Sequence, residues 1–288
     1  MMQTATRLER MHGHLALDFT LKQQRTRLTV REHRPPLQVV RDFGLADGTS
    51  FVHLHNVAGG VLAGDQLTTT IKLAASTKAQ LTTTSSTRIY RSDGEQIAYQ
   101  QVQATLAEQS LLEYWPDTTI PFAESLYQQQ TRIDLAADAG LCWWEFLAPG
   151  REAYGERFAY RQLRLDCDIY ALGRPILLDR MRLQPSLQQL SNPLYFGKYS
   201  YLATGYICRV GWDAVQWKAL EAELMAFAAS QTKLGRCLWG VSCLAAHGLV
   251  IRGLSSNSRD LLATAFDYWR FAKQALYGTT PNLPRKIY

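Results

Sequence analysis

Charge is scarce in this chain of 288 residues: only 19% are Asp, Glu, Lys or Arg, and no polar, repetitive stretch interrupts it. Together with 47% hydrophobic residues, that excludes a disordered chain and leaves enough apolar side chains for a large core. Long apolar runs are missing as well. None approaches the roughly 20 residues a helix needs to span a bilayer, and the opening MMQTATRLERMHGHLALDF lacks the basic-then-apolar order of a secretory signal. A cytoplasmic protein without a membrane segment is expected. The cysteines, Cys142, Cys167, Cys208, Cys237 and Cys243, form an odd set with no CxxC pair, which suits buried reduced thiols better than a disulfide framework or a zinc site.

Catalytic signatures are few. HNVAGGVLAGDQL, residues 55–67, is rich in glycine but lacks the GK[ST] ending of a phosphate loop and opens into another strand. Its glycines fit a tight turn with positive φ that aims Asp65 inward. LTTTSSTRIYRS, residues 81–92, is crowded with hydroxyls, yet no GxSxG elbow and no evident histidine and acid partners accompany them. Dinucleotide fingerprint, HExxH, EF-hand and kinase patterns are all absent from the sequence. The expectation is a protein that is not an enzyme and holds no tightly bound cofactor.

The net charge of +6 is uneven: residues 1–41 carry eight Lys/Arg against three Asp/Glu, and residues 270–288 carry four against none. Basic ends on a nearly neutral body suit acidic protein partners. Nucleic acid is not expected, because no basic stripe interleaved with aromatics or recognition helix accompanies the charge.

Up to about residue 212 the pattern has period two, with Thr, Val, Ile, Leu and Tyr in short runs parted by Gly, Asp and Pro. Strands are expected at Arg27–Glu32, Leu37–Arg41, Phe51–His55, Leu67–Ala74, Ala79–Tyr90, Gln100–Leu106, Ser110–Trp115, Thr131–Leu135, Leu141–Leu147, Leu163–Tyr170 and Pro175–Leu183. Such a density of strands excludes a doubly wound α/β fold. Helical spacing follows at 213–234, where Trp217, Leu220, Leu224, Phe227 and Ala228 share a face, and at 257–277, capped by Ser255, Ser256 or Asn257 and stopped at Gly278. A hairpin with its turn at His247-Gly248 is expected between the helices.

IKLAASTKAQLTTTSST from Ile71, VQATLAEQSLLEYWPD from Val102 and IDLAADAGLCWWEFLAPG from Ile133 repeat at roughly thirty residues, with a looser fourth copy in LDCDIYALGRPILLDRM. Repeats of this kind mark stacked β units. The expected fold is thus mainly β: one domain over 1–288, an elongated, β-helix-like stack of strand-turn-strand layers over about 12–212, then the two helices.

Within the repeats an acid recurs in an apolar strand: Glu113 in LLEYW, Glu145 in WWEFL, Asp179 in ILLDRM. Stacking in register would bring the three together. A carboxylate buried among Leu, Trp and Phe needs compensation. Arginines such as Arg88, Arg151 or Arg180 could supply it structurally; alternatively the acids could form a path of hard oxygen donors for a divalent cation. Glu113 with Glu145 could also serve glycoside hydrolysis in an open cleft. His53 and His55, at i, i+2 on a strand, could bind metal or be ordinary neighbours.

In order and spacing, HNVAGGVLAGDQL, TTSSTRIYRS, LLEYWPDTTIPF, LCWWEFLAPGREAYGERF, GRPILLDRMRL and the terminal LPRKIY resemble the urease accessory protein UreD family, called UreH in some organisms. The resemblance covers most of the chain. It implies a non-catalytic accessory protein that binds apo-urease and UreF, reaches the GTPase UreG through UreF, admits a dimer within the accessory complex, and guides a transient nickel ion to the urease active site. Carried over, the acidic passage residues are Asp65, Glu145 and Asp179, with Glu113 joining them by the repeat pattern. Gly59, Gly60, Gly64, Arg88, Tyr90, Arg91, Gly150, Arg151 and Glu156 match motif positions with a structural role. Ala63, Asn56 and the ending RKIY depart from the family pattern, and none adds a catalytic group.

Overall fold

His12–Lys22 (β1) carries Leu15, Leu17 and Phe19 on one face, all buried, with His14, Asp18 and Thr20 on the other. That alternation is what a sheet with one wet face requires. In the computed structural model, which describes residues 10–283, β1 is followed by Arg25–Arg34 (β2), Leu37–Gly44 (β3), Ser50–Asn56 (β4), Gln66–Leu73 (β5), Lys78–Thr83 (β6), Thr87–Ile89 (β7), Ala98–Leu106 (β8), Leu111–Trp115 (β9), Thr119–Pro121 (β10), Leu126–Leu135 (β11), Gly140–Leu147 (β12), Gln162–Ala171 (β13), Arg174–Leu183 (β14) and Tyr201–Arg209 (β15). Helix Ala214–Gln231 (α1), strands Cys237–Cys243 (β16) and Gly248–Ser255 (β17), and helix Ser258–Tyr277 (α2) complete the chain.

Two sheets face each other. One has the order β14-β13-β11-β8-β5-β1-β2; the other runs β16-β17-β15-β12-β9-β6-β4-β3 with β7 and β10 attached. β1, β5, β8, β11 and β13 are mutually parallel in the first, and β4, β6, β9 and β12 in the second. The chain therefore winds as a flattened solenoid of about four coils, the expected β-helix-like stack. Apolar ladders line its interior, Leu17–Ile71–Ala104–Ile133–Ile169 on one side and Val52–Leu81–Tyr114–Trp143–Tyr206–Val250 on the other. The helices pack on the outer face of the second sheet, where a second core gathers Trp115, Trp144, Phe146, Trp217, Leu224, Trp239 and Trp269. No helix among the described residues is long and apolar enough to cross a membrane.

The repeated corners show how the sequence drives the winding. Ala74–Thr77, Ala107–Ser110 and Ala136–Ala139 each close with the fourth N–H donating to the first carbonyl, and in each the third residue (Ser76, Gln109, Asp138) has φ between 55° and 60°. Four residues carry the chain from one sheet to the other. The fourth copy differs: β13 and β14 are joined by Leu172-Gly173 alone, both at positive φ, a two-residue hairpin turn that folds the strand back into its own sheet. Asp179 therefore lies in the first sheet, whereas Glu113 and Glu145 lie in the second.

Both helices and the hairpin between them form as expected. Asp213 caps α1 through a reciprocal box with Gln216, Asn257 caps α2, and Gly278 ends α2 in the left-handed conformation. The expected strand Ala79–Tyr90 is two strands, broken at residues 84–86. β1, β10 and β15 were not among the expected strands. β15 is buried on both faces, so its sequence does not alternate.

Candidate functional site

Between the sheets lie two adjoining cavities. The first, partly open to solvent, is bordered by His55, Gly60, Thr69, Thr83–Thr87 and Gln100. The second is bordered by Asp117, Thr119, Gln129, Glu145, Met181 and Thr204. Thr87, Gln100, Val102, Tyr114 and Trp143 border both, so the two adjoin and share a wall in which apolar rings stand among oxygen-bearing side chains. Tyr114 stacks on Trp143 with centroids 4.1 Å apart, forming the waist.

A hydrogen-bonded chain runs across this space. The Tyr127 hydroxyl donates to Gln100 Oε1 (2.9 Å) and Gln129 Oε1 (3.0 Å), Gln129 Nε2 donates to Glu145 Oε1 (2.8 Å), and Trp143 Nε1 donates to the same oxygen (3.3 Å). Glu145 is the acid this network holds. Burial pushes its carboxyl up to about 7, with nearby Asp179 adding to the rise and the bonds from Trp143 and Gln129 opposing it. The Tyr114 phenol is also pushed up, by burial and by Glu145 and Asp117. Asp117 Oδ2 accepts the Thr83 hydroxyl at 2.9 Å.

The other expected passage acids are elsewhere. Asp65, 1% exposed, accepts the backbone N–H of Met11 (3.0 Å) and of Leu62 (2.8 Å) and closes the glycine-rich turn. Glu113 points to the opposite face of the sheet. It sits in the row Phe51–Gln80–Glu113–Cys142–Ile207 beneath the helices, takes Trp269 Nε1 and Lys273 Nζ at 2.7 Å each, and is 2% exposed. Burial pushes its carboxyl up and Lys273 pulls against that rise. Asp179 reaches inward from β14, accepting Tyr206 Oη at 2.8 Å and Arg252 Nη2 at 2.5 Å. The expected meeting of Glu113, Glu145 and Asp179 is thus corrected: Glu145 and Asp179 are electrostatic neighbours, and Glu113 is across the sheet from both. With Glu113 and Glu145 on opposite faces, no cleft joins them for glycoside hydrolysis.

The motif residues lie in the longer connections from the second sheet to the first, on the flank opposite the repeated corners. A side chain on Gly60 would collide with the Arg88 carbonyl and the Tyr90 ring, each 2.5 Å from the added carbon. Gly59, Gly64 and Gly150 have positive φ. Arg151 pairs with Glu156 through Nε and Nη2 and lies over the Phe122 ring at 4.0 Å, and Glu156 Oε2, which accepts Arg151 Nε, also accepts the Ala123 N–H. Tyr90 packs edge-on against Phe122, and Arg91 pairs with Asp93 at the surface. The arginine expected to neutralise the strand acids is neither Arg88, Arg151 nor Arg180. Arg151 serves Glu156, Arg180 serves Asp168, and Lys273 and Arg252 serve Glu113 and Asp179.

His55 Nδ1 lies 2.5 Å from Thr84 Oγ1, and His53 packs edge-on against Phe51. Among the described residues no group of three or more His, Cys, Asp or Glu side chains could hold a metal ion. All five cysteines are free thiols. Sequence reasoning missed Asp117, Gln100, Gln129 and Tyr127. Pro116 interrupts the pleat before Asp117, so alternation could not place its side chain.

The UreD urease accessory protein family model matches residues 11–287. Among curated relatives, the urease accessory protein UreD of Deinococcus radiodurans is 31% identical over 275 residues, covering 95% of this chain and 94% of that protein. Those of Nostoc punctiforme (30% over 285 residues, 96% of each chain) and Halalkalibacterium halodurans (30% over 284 residues, 96% of this chain and all of that protein) are similar to the same extent.

Proposed function

The chain belongs to the UreD urease accessory protein family, and on that premise we propose that it is a non-catalytic scaffold of urease maturation, binding apo-urease and UreF, reaching UreG through UreF, and guiding nickel through the space between its two sheets. What supports the passage is the pair of adjoining interior cavities, the second of them bordered by Asp117, Gln129 and Glu145. Divalent cations of this class accept carboxylate, amide and hydroxyl oxygens as successive ligands. Nickel here is cargo, so weak sites serve it better than a cage.

A second reading is favoured by a specific observation. Asp65, Glu113 and Asp179 all have protein partners, as a pure interaction scaffold requires. One experiment separates the two. The tagged chain is co-expressed with the urease subunits and UreF, and both capture and urease activity are measured for wild type and for Asp117→Ala/Glu145→Ala. Capture of both partners with activation that depends on the chain supports the accessory role; loss of activation at limiting nickel with capture intact supports the passage. Full activation by the double variant would leave the scaffold alone.

A further inference from the structure

The second sheet projects beyond the first on the side where β14 forms the free edge. There, Glu145, Thr204, Arg252 and Gly240 stand in one row across β12, β15, β17 and β16. The row leads from the interior cavity, which Glu145 and Thr204 border, to solvent. Across it lies Asp179, its side chain only 13% exposed, paired with Arg252, which is 53% exposed. Both the Arg252 and the Tyr206 bonds fall on Oδ2 of Asp179. A side chain added at Gly240 would meet nothing within 4 Å, so the space beside the Arg252 backbone is open.

An exposed arginine on a largely buried carboxylate is an exchangeable charge. Burying Asp179 unpaired would be costly, and a divalent cation next to the Oδ oxygens would meet the same need with twice the charge. The guanidinium, unlike Asp179, has solvent and the gap over Gly240 to move into. Resting on the proposed cation passage, we infer that Arg252 is a stand-in cation at a lateral mouth of the interior, pairing with Asp179 while the passage is empty and yielding that carboxylate to a divalent ion. Arg252 is then a positioning residue that weakens metal binding, and it makes Asp179 part of the path only when displaced.

The test uses the purified full-length chain, nickel(II) as the probe, and calorimetric titration at pH 7.5, with thermal melts to confirm that each variant folds. An exposed ion pair contributes on the order of 1 kcal/mol, so removing its competition in Arg252→Gln should tighten nickel binding about fivefold. Arg252→Lys should fall between the two. Arg252→Gln/Asp179→Asn should bind no more tightly than Asp179→Asn, because the gain must act through Asp179. Nickel binding seen only in Arg252→Gln, and lost again with Asp179→Asn, also supports the inference. Wild-type binding with Arg252→Gln and Arg252→Lys unchanged or weaker overturns it and leaves the passage standing. Absence of binding in wild type and every variant overturns both.

Discussion

Glu145→Gln should stabilise this protein in a pH-dependent way. The carboxyl is half-buried between the sheets, at the cavity wall, and burial pushes it up to about 7 from its ordinary 4.5. Between those values the folded state holds a proton that the unfolded state has lost, so stability falls as pH rises through the interval. Below about 4.5 both states are protonated and the glutamate costs nothing extra. Above about 7 the ionised group must be accommodated where burial disfavours it, and at about 1.4 kcal/mol for each pH step the penalty reaches about 3 kcal/mol. Glutamine keeps an oxygen for the Gln129 and Trp143 donors and has no proton to lose. Urea unfolding followed by tryptophan fluorescence should therefore give nearly equal stabilities for the two proteins at pH 4.5, and a gap opening to about 3 kcal/mol in favour of Glu145→Gln at pH 8. Parallel stability curves over that range would refute the raised carboxyl of Glu145.

Lys273→Met strands the Glu113 carboxylate under α2 and should cost about 3–5 kcal/mol by urea unfolding, most of it recovered in Glu113→Gln/Lys273→Met, which keeps an acceptor for Trp269. Asp65→Ala removes the acceptor for two backbone N–H groups and should cost about 3 kcal/mol; its effect on urease activation should follow that lost stability and fade at lower expression temperature. Gly253→Ala places a methyl 2.4 Å from the Trp239 ring, and the overpacking should lower stability by about 1–3 kcal/mol. Asp213→Ala, losing the α1 cap, should cost about 1 kcal/mol.

Much of this architecture is legible in the sequence because local rules set it. The cap at Asn257, the stop at Gly278 and the hairpin at His247-Gly248 follow from side-chain and backbone chemistry confined to a few residues. The stacking is legible because the three corners repeat. What escapes is what depends on more than one strand at once. β15 is covered by the first sheet on one face and by the helices on the other, which erases the alternation that marks a strand. The partners of the acids come from far along the chain: Lys273 for Glu113 and Arg252 for Asp179. The expectation about the terminal RKIY falls on residues 285–288, outside the described part of the chain.

The acids themselves show how small an offset decides a site. LLEYW and WWEFL look alike, and aligning their glutamates gives a tidy spacing, but β9 and β12 pair Glu113 with Cys142, three residues short of Glu145. An odd offset turns a side chain to the other face of a sheet. Glu113 thus becomes a bolt for α2, while Glu145 faces the cavity with Asp117, which no repeat had marked. For a cation path the difference is substantial. Tight divalent sites gather several charged oxygens around one point; the cavity border offers Asp117 and Glu145, the second half protonated near neutral pH, among amides and hydroxyls, with Asp179 nearby but tied to Arg252. On the proposed passage, an ion held by such a set would exchange readily with the next donors, which favours transit through the protein over storage within it.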